Sequence, residues 1–401
     1  MISVSKALHV INSQALILRE EEVSLNDALG AVLSKDVFSA INMPPFRQSA
    51  MDGYALKWSE ERGYQLTYES QAGNANSYTL KNKEAVRIFT GALVPDEADT
   101  VVMQEHVEQT GKELSIQKMP SKYANIRETG EQIQAGDIAL KKGAVLNAAA
   151  IGFLTCLGVQ NVSVYRRPKV GILVTGNELQ SVGSPLRTGS IYESNSTMLK
   201  AALHESGITE EIEILRVSDD LESTKACIKN LLEKTDLLLI SGGISVGDYD
   251  FVKEALTANQ VDELFYKVNQ KPGKPLWFGR KGSTCVFALP GNPASVLTCF
   301  YVYVYPLIQK WKGYQNSSLE RIFAKCTSKL QNKTGKTIFL KAALSQKGEA
   351  TPLQGQSSAM MHTYALSNAL ICVPEEKESI EVGEEVECIK NVKISYETKV
   401  T

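Results

Sequence analysis

Residues 236–258 read DLLLISGGISVGDYDFVKEALTA. Four aliphatic residues, Leu237 to Ile240, run without a polar break into Ser241 and a glycine pair, and a helix-compatible stretch follows. A strand apolar on both faces is one covered on both sides, and a Gly-rich turn leading into a helix is the repeating unit of a parallel sheet. The same order recurs around it. KVGILVT (169–175) precedes an expected helix over about 195–205, and EIEILRV (211–217) one over about 221–234. The quoted strand precedes a helix over about 251–258, and TCVFAL (284–289) one starting near Ala294. Residues 168–312 are therefore expected to form an α/β domain of three layers, α/β/α.

Outward from that domain the pattern changes. Residues 313–401 alternate in short runs, IFLKAAL (338–344), NALICV (368–373) and EEVECIK (384–390), which predicts a small C-terminal β domain. On the other side, the double proline in NMPPFRQ (42–48) marks an exit from regular structure. Residues 44–136 then alternate VRIFTG, TVVMQEHVE and ELSIQK with turns, the pattern of a β-rich inserted domain. Residues 1–43 and 137–167 are expected to pair as an N-terminal, linking domain around that insertion. Within it, Ser24 before Leu25, Ala28, Leu29, Val32 and Leu33 has the spacing of a capped helix.

A chain of 401 residues is too long for one core, in keeping with several domains. With 43 Lys+Arg against 45 Asp+Glu there is no global field for nucleic acid or an anionic membrane, and neither is expected as a partner. Any bound anion must meet a local positive site. The seven cysteines are scattered without a CxxC and mostly lie in apolar runs, which predicts buried free thiols in a reducing compartment. Four dispersed histidines do not suggest a zinc site. MISVSKALHVINSQ lacks the order of a signal peptide, and the longest apolar run, Val296–Ile308, is too short to span a bilayer. A cytoplasmic protein is expected.

In open α/β sheets ligands bind where strands end and loops lead into helices. Four loops have that position. The first holds Asn177 and Glu178. The second, Ser241-Gly242-Gly243-Ile244-Ser245-Val246-Gly247-Asp248, has the glycines and hydroxyls of an anion nest, although it is neither a Walker loop nor GxGxxG. The third, Lys271-Pro272-Gly273-Lys274-Pro275, sets two lysines on a stiff frame suited to phosphate, or else presents two solvated surface charges. In the fourth, Pro290 and Pro293 bracket Gly291-Asn292, as a site wall or a strand end. Glu178, Asp219, Asp220, Asp248 and Asp250, with Asp52, have the chemistry to hold a hard divalent cation, but acidic residues also simply favour turns and helix starts.

Taken in order, PPFRQSAMDGYAL, RIFTGALVPDEADTVVMQE, NIRETGE, VGILVTGNEL, IYESN, LISGGISVGDYDFVK, KPGKP and LPGNPAS resemble the MoeA family, the molybdopterin molybdenumtransferases, whose eukaryotic relative is the E domain of gephyrin. The resemblance implies four domains and an elongated homodimer whose active site lies between the α/β domain and the inserted domain of the partner. It implies molybdate and adenylylated molybdopterin as substrates, release of AMP, Mg²⁺ as the assisting cation, and transient contact with the molybdopterin adenylyltransferase. The implied catalytic positions are Asp52, Thr90, Arg127, Glu178, Asp219 and Asp250. Of these, Glu178, Asp219 and Asp250 organise the metal, while Asp52, Thr90 and Arg127 complete the site from the partner. The substrate positions are Ser241, Gly242, Gly243, Ser245, Gly247, Asp248, Lys267, Lys271, Lys274, Pro290, Asn292 and Pro293. Two departures replace a carboxylate by an amide: Gln132 after Gly130-Glu131, and Asn177 before Glu178. A scaffold that keeps the fold without turnover is the rival reading.

Overall fold

The computed structural model describes residues 1–14, 19–74, 78–208, 212–244 and 251–391. They form two compact units, residues 22–29 with 33–164, and residues 1–21 with 30–32 and 165–401.

The larger unit is built on a six-stranded sheet. Its strands are β1 (Val170–Thr175), β2 (Ile212–Val217), β3 (Leu237–Ser241), β4 (Asp262–Tyr266), β5 (Trp277–Lys281) and β6 (Thr284–Leu289). The order across the sheet is β2-β1-β3-β6-β5-β4. The four strands read from the sequence are parallel, with Ile172 opposite both Ile214 and Leu239, and Leu239 opposite Phe287. Two further strands, β5 and β4, extend the edge antiparallel, as a local hairpin permits. Their sequences, WFGRK and DELFY, carry weaker patterns than the parallel strands and were not anticipated.

Helices α1 (Asn195–Glu205), α2 (Leu221–Lys234), α3 (Val252–Ala258) and α4 (Pro293–Cys299) follow β1, β2, β3 and β6. Successive strand side chains point to opposite faces. Ile172, Leu239, Phe287 and Leu289 pack with Leu199, Ala202 and Leu203 of α1, while Leu173, Leu238, Ile240 and Val286 pack with Ile228 and Leu231 of α2 and Ala255 and Leu256 of α3. This is the expected three-layer α/β/α arrangement. The N-terminal helix Val4–Ser13 adds Ala7 and Ile11 to the α1 face. After α4 the helix does not simply continue. It passes through a π-helical turn, Phe300–Val304, into Tyr305–Trp311, and the wider turn precedes Pro306, which has no N–H to donate.

The C-terminal strands close on themselves. Thr337–Leu344, Glu349–Pro352, Arg321–Cys326, Glu385–Lys390 and Ala369–Val373 pair in that order, and the last pairs back with the first. Closure leaves no free edge. The short strand Gln270–Lys271 joins Thr337–Leu344 in parallel and ties this barrel to the α/β sheet.

The smaller unit holds a six-stranded mixed sheet ordered Thr100–Met103, Gly53–Leu56, Glu84–Ile88, Gly63–Ser70, Glu113–Ile116, Val107–Thr110. Both faces are apolar: Ala55, Val86, Ile88 and Val101 on one, Tyr54, Leu56, Tyr64 and Val102 on the other. Val37–Phe38 pairs with Ile138–Leu140, as expected of segments flanking an insertion. The helix expected over 25–33 is absent. Ser24 caps only a single 3-10 turn, Leu25–Asp27, and the left-handed Gly30 (φ 72°) ends helical continuation. Leu25, Ala28, Val32 and Leu33 are all buried, so burial mimicked a helical period without a helix. Of the cysteines, Cys156 is exposed, against expectation, while Cys285, Cys299, Cys326 and Cys388 are buried and all seven are free.

Phe287 is fully buried at the centre of the sheet, 4.6 Å from Phe278 between ring centroids. Phe287→Ala should lower the stability of the larger unit by about 3–5 kcal/mol, read as a fall in the urea midpoint of its unfolding transition. An unchanged midpoint would show that the core can close over the lost ring.

Candidate active site

Loops from the carboxyl ends of β1, β2, β3 and β6 converge on one cavity of about 1140 Å³. Chain order reverses between β1 and β3, and a crevice opens at such a point because the two following connections leave in opposite directions. Its walls include Gly176 and Glu178 after β1, Asp219 after β2, Ser241 to Ile244 after β3, and Pro290 to Pro293 after β6. Lys271 to Pro275 form another wall.

Hydrogen bonds fix these loops to one another. The Asn177 N–H donates to Asp219 Oδ2 and the Asp219 N–H donates to Asn177 Oδ1, both at 3.1 Å. Asp220 caps α2 by accepting from the Ser223 N–H at 2.8 Å, so it ends a loop rather than facing the cavity, and the Ser223 hydroxyl and N–H hold its carboxyl below the usual range. Gly242 adopts φ 97°, and a Cβ there would lie 2.6 Å from the Thr175 carbonyl oxygen, so the turn after β3 requires glycine. Asn195, the first residue of α1, donates from Nδ2 to Ser241 Oγ and the Gly291 carbonyl, each at 2.8 Å. Glu193 is buried, accepting from the Ser196 N–H and hydroxyl and from Arg216 Nη2 at 2.7 Å.

Both signs of charge line the cavity. Glu178 and Asp219 are among its walls, and neither is ion-paired among the described residues. Lys271, Lys274 and Lys336 line it too. Two wall oxygens, Thr175 Oγ1 and Asn195 Oδ1, are buried without a hydrogen-bond partner. Buried polar atoms are rarely left so unless something else meets them.

Of the sequence-predicted positions, the cavity brings together Glu178, Asp219, Ser241, Gly242, Gly243, Lys271, Lys274, Pro290, Asn292 and Pro293. Lys267 is not among its walls: its ammonium lies 4.7 Å over the Tyr266 ring. Ser245, Gly247, Asp248 and Asp250 lie outside the described residues. Among the described residues no three His, Cys, Asp or Glu side chains cluster as a metal site. Asp52, Thr90 and Arg127 belong to the smaller unit. There Asp52 Oδ1 accepts from the Thr90 N–H at 2.7 Å and the Thr90 hydroxyl at 2.8 Å, while Arg127, paired with Gln48, is exposed.

The reading of the sequence missed the wall from the C-terminal barrel: Lys336 and Gln356 to Ala359. Lys341 shapes it. This lysine is 4% exposed, and its ammonium donates to the carbonyls of Gly355, Ser357 and Met360 at 2.9–3.1 Å. Ser358 accepts from Asn292 Nδ2 at 3.0 Å. A lysine inside the apolar run IFLKAAL was the available signal.

The model of the MoeA N-terminal region (domain I and II) matches residues 2–158, a probable molybdopterin binding domain matches 171–310, and the MoeA C-terminal region (domain IV) matches 324–390. A molybdopterin molybdenumtransferase of Haemophilus influenzae is 36% identical over 378 residues, 91% of this chain and 92% of that protein. The chain belongs to the MoeA family. Molybdopterin molybdenumtransferase 2 of Mycobacterium tuberculosis is 31% identical, with 96% of this chain and 99% of that one covered. The solved structure of a molybdopterin biosynthesis MoeA protein from Pyrococcus horikoshii aligns with a TM-score of 0.83 at 30% identity, covering 97% of this chain and 99% of that one. Among the described residues of this MoeA-family chain, no helix is long and apolar enough to cross a membrane.

Asp52 is held below the usual carboxylate range by the Thr90 N–H first, then the Thr90 hydroxyl, with Arg87 adding attraction. A depressed carboxyl favours the folded state above its ordinary pKa, and that contribution fades as pH falls through the lowered value. Thr90→Val removes only the hydroxyl bond. The Asp52 titration, followed by NMR, should move upward yet stay below the ordinary range. No movement would show that the hydroxyl bond does not form.

Proposed function

We propose that this chain is a molybdopterin molybdenumtransferase that inserts molybdenum from molybdate into adenylylated molybdopterin, with cleavage of the pyrophosphate and release of AMP. The observation that carries this reading is one cavity at the sheet's switch point lined both by the unpaired carboxylates Glu178 and Asp219 and by Lys271 and Lys274. A substrate with an extended pterin, a pyrophosphate and a nucleotide needs a roomy cavity that offers both cationic and metal-holding side chains. Lys271 and Lys274 bind phosphate or oxyanion as point charges. Ser241, Gly242 and Gly243 are proposed to cradle the substrate, joined by Ser245, Gly247 and Asp248, and Pro290, Asn292 and Pro293 to shape a further wall. The rival reading, a scaffold without turnover, is not favoured, since the curated relatives are named as transferases.

Mg²⁺ fits the donors present. Glu178 and Asp219 offer hard oxygens free of ion pairs, and Mg²⁺ commonly uses one or two carboxylates together with substrate phosphates. Asp250 is proposed as a further ligand. When bound, the cation shields charge that builds on the cleaved phosphate. Asp52, Thr90 and Arg127 are proposed to complete the site from the partner subunit of a homodimer. In this reading residues 1–43 with 137–167, 44–136, 168–312 and 313–401 are its four domains. The substrate arrives from a molybdopterin adenylyltransferase by transient contact in the cytoplasm.

Chromatography of a reaction with adenylylated molybdopterin should show AMP appearing only when molybdate is added. Absence of AMP at any molybdate concentration would overturn the assignment. Mixing inactive Asp52→Ala with inactive Glu178→Ala should restore part of the activity through hybrid dimers carrying one intact site. Full activity in a monomer would sink the shared site.

Gln132 is exposed, and its N–H donates to the Met43 carbonyl at 2.9 Å. A neutral amide cannot act as a general base. The intact acidic positions make that charge dispensable, so Gln132→Asp should change the molybdate-dependent rate by less than roughly tenfold, about 1.4 kcal/mol in barrier. A far larger gain would mark the native protein as catalytically impaired.

A further inference from the structure

Beneath the two lysines of residues 271–275 lies a side chain to which no role has been given. Gln270 is 1% exposed, and its Nε2 donates to the carbonyls of Pro272 at 3.0 Å and Gly273 at 3.3 Å. Its Oε1 accepts from the hydroxyl of Tyr303, which is fully buried. The amide orientation follows from chemistry, because carbonyls only accept, so the nitrogen must face residues 272 and 273. Cys299 adds a weak donor, its Sγ lying 3.8 Å from the Gly273 carbonyl. Burial pushes that thiol up to about 12, so it stays protonated and able to donate.

In a trans peptide the N–H points opposite to the C=O. Drawing the Pro272 and Gly273 carbonyls toward Gln270 therefore turns the N–H groups of Gly273 and Lys274 the other way. Both residues line the cavity, and among the described residues neither N–H has a protein acceptor. Consecutive N–H groups with this aim make an anion-binding concavity. Gly273 is at φ 86°, and a Cβ there would lie 2.5 Å from Cys299 Sγ and 2.8 Å from Gln270 Nε2, so the loop closes on this support only with glycine.

We propose that Gln270, braced by Tyr303, is the positioning residue of the oxyanion site: it holds two carbonyl dipoles away from the cavity and presents the Gly273 and Lys274 N–H groups beside Lys271 and Lys274. This rests on the reading that the loop takes an oxyanion. The oxyanion is either molybdate or a substrate phosphate, which share tetrahedral geometry and negative charge.

The test is calorimetric titration of the full-length protein with molybdate and, separately, with inorganic pyrophosphate. The anion whose affinity falls in the Lys271→Ala/Lys274→Ala variant identifies the source. Gln270→Met, similar in size but without hydrogen bonds, should weaken that same anion about tenfold or more, and Tyr303→Phe several-fold. The Lys271→Ala effect should shrink in the Gln270→Met background, as expected of residues acting through one loop. In turnover, the KM for the identified anion or its parent substrate should rise with little change in kcat, whereas a merely misfolded fraction would lower kcat alone. If the lysine variant binds both anions normally, the oxyanion reading itself falls. If it binds weakly but Gln270→Met and Tyr303→Phe bind like the native protein, the positioning role falls and the reading survives. Should Gln270→Met not fold, Tyr303→Phe decides: native affinity overturns the proposal, reduced affinity with a raised KM supports it.

Discussion

A strand buried on both faces can satisfy its backbone only through its neighbours in the sheet. In this molecule that constraint falls on β1, β3 and β6, each of whose residues is buried. Because these strands run parallel, every chain exit lies on the same edge, and the polar, irregular backbone of the loops that leave there is gathered in one place. The acidic Glu178 and Asp219 leave β1 and β2 at that edge, and Ser241 and Asn292 leave β3 and β6. The concentration of polar chemistry in one cavity is thus a consequence of how the core is built.

Holding such a cavity open has a cost. An unsatisfied buried polar atom costs about 1–3 kcal/mol, and two of them, Thr175 Oγ1 and Asn195 Oδ1, sit in this wall. The rest of the wall is held tightly: Asn195, Glu193 and Gln270 each bond two separate segments, and Lys341 behind it makes three bonds to the stretch 355–360. The net charge of −2 gives an anion no long-range attraction. Local donors fixed before the ligand arrives supply what the overall charge does not.

What the sequence made legible follows from the same physics. Continuous apolar runs specified the four parallel strands, and the helices after them began within a residue or two of the expected positions, because caps such as Asp220 and the proline at 293 mark helix starts locally. Strands β4 and β5 were obscure because an edge hairpin needs no continuous run. The segment after Ser24 misled because burial alone reproduces a helical period when a chain winds over a core. The barrel's share of the cavity was invisible, since nothing within Gln356 to Ala359 announces contact with residues some sixty positions earlier; it shows only in the bonds that the Asn292 amide and the Ala294 N–H give to Ser358. Tyr303 and Gln270, 33 residues apart, looked like an ordinary core aromatic and a strand-end amide.

The departure at Asn177 is also explained by geometry. Its side-chain oxygen accepts the Asp219 N–H, while its own N–H is given to the Asp219 carboxylate. The side chain is therefore used as an acceptor, and an amide oxygen serves as well as a carboxylate oxygen. What changes is charge. A carboxylate at 177 would add a negative charge within one hydrogen-bonded loop pair that already holds Asp219, and like charges so close disfavour mutual ionisation. With an amide there, that repulsion is absent, and the two loops remain joined. The substitution thus preserves the frame around Asp219 while lowering the local charge; of the three carboxylates that line the cavity, Glu193 is paired with Arg216, and Glu178 and Asp219 carry the rest.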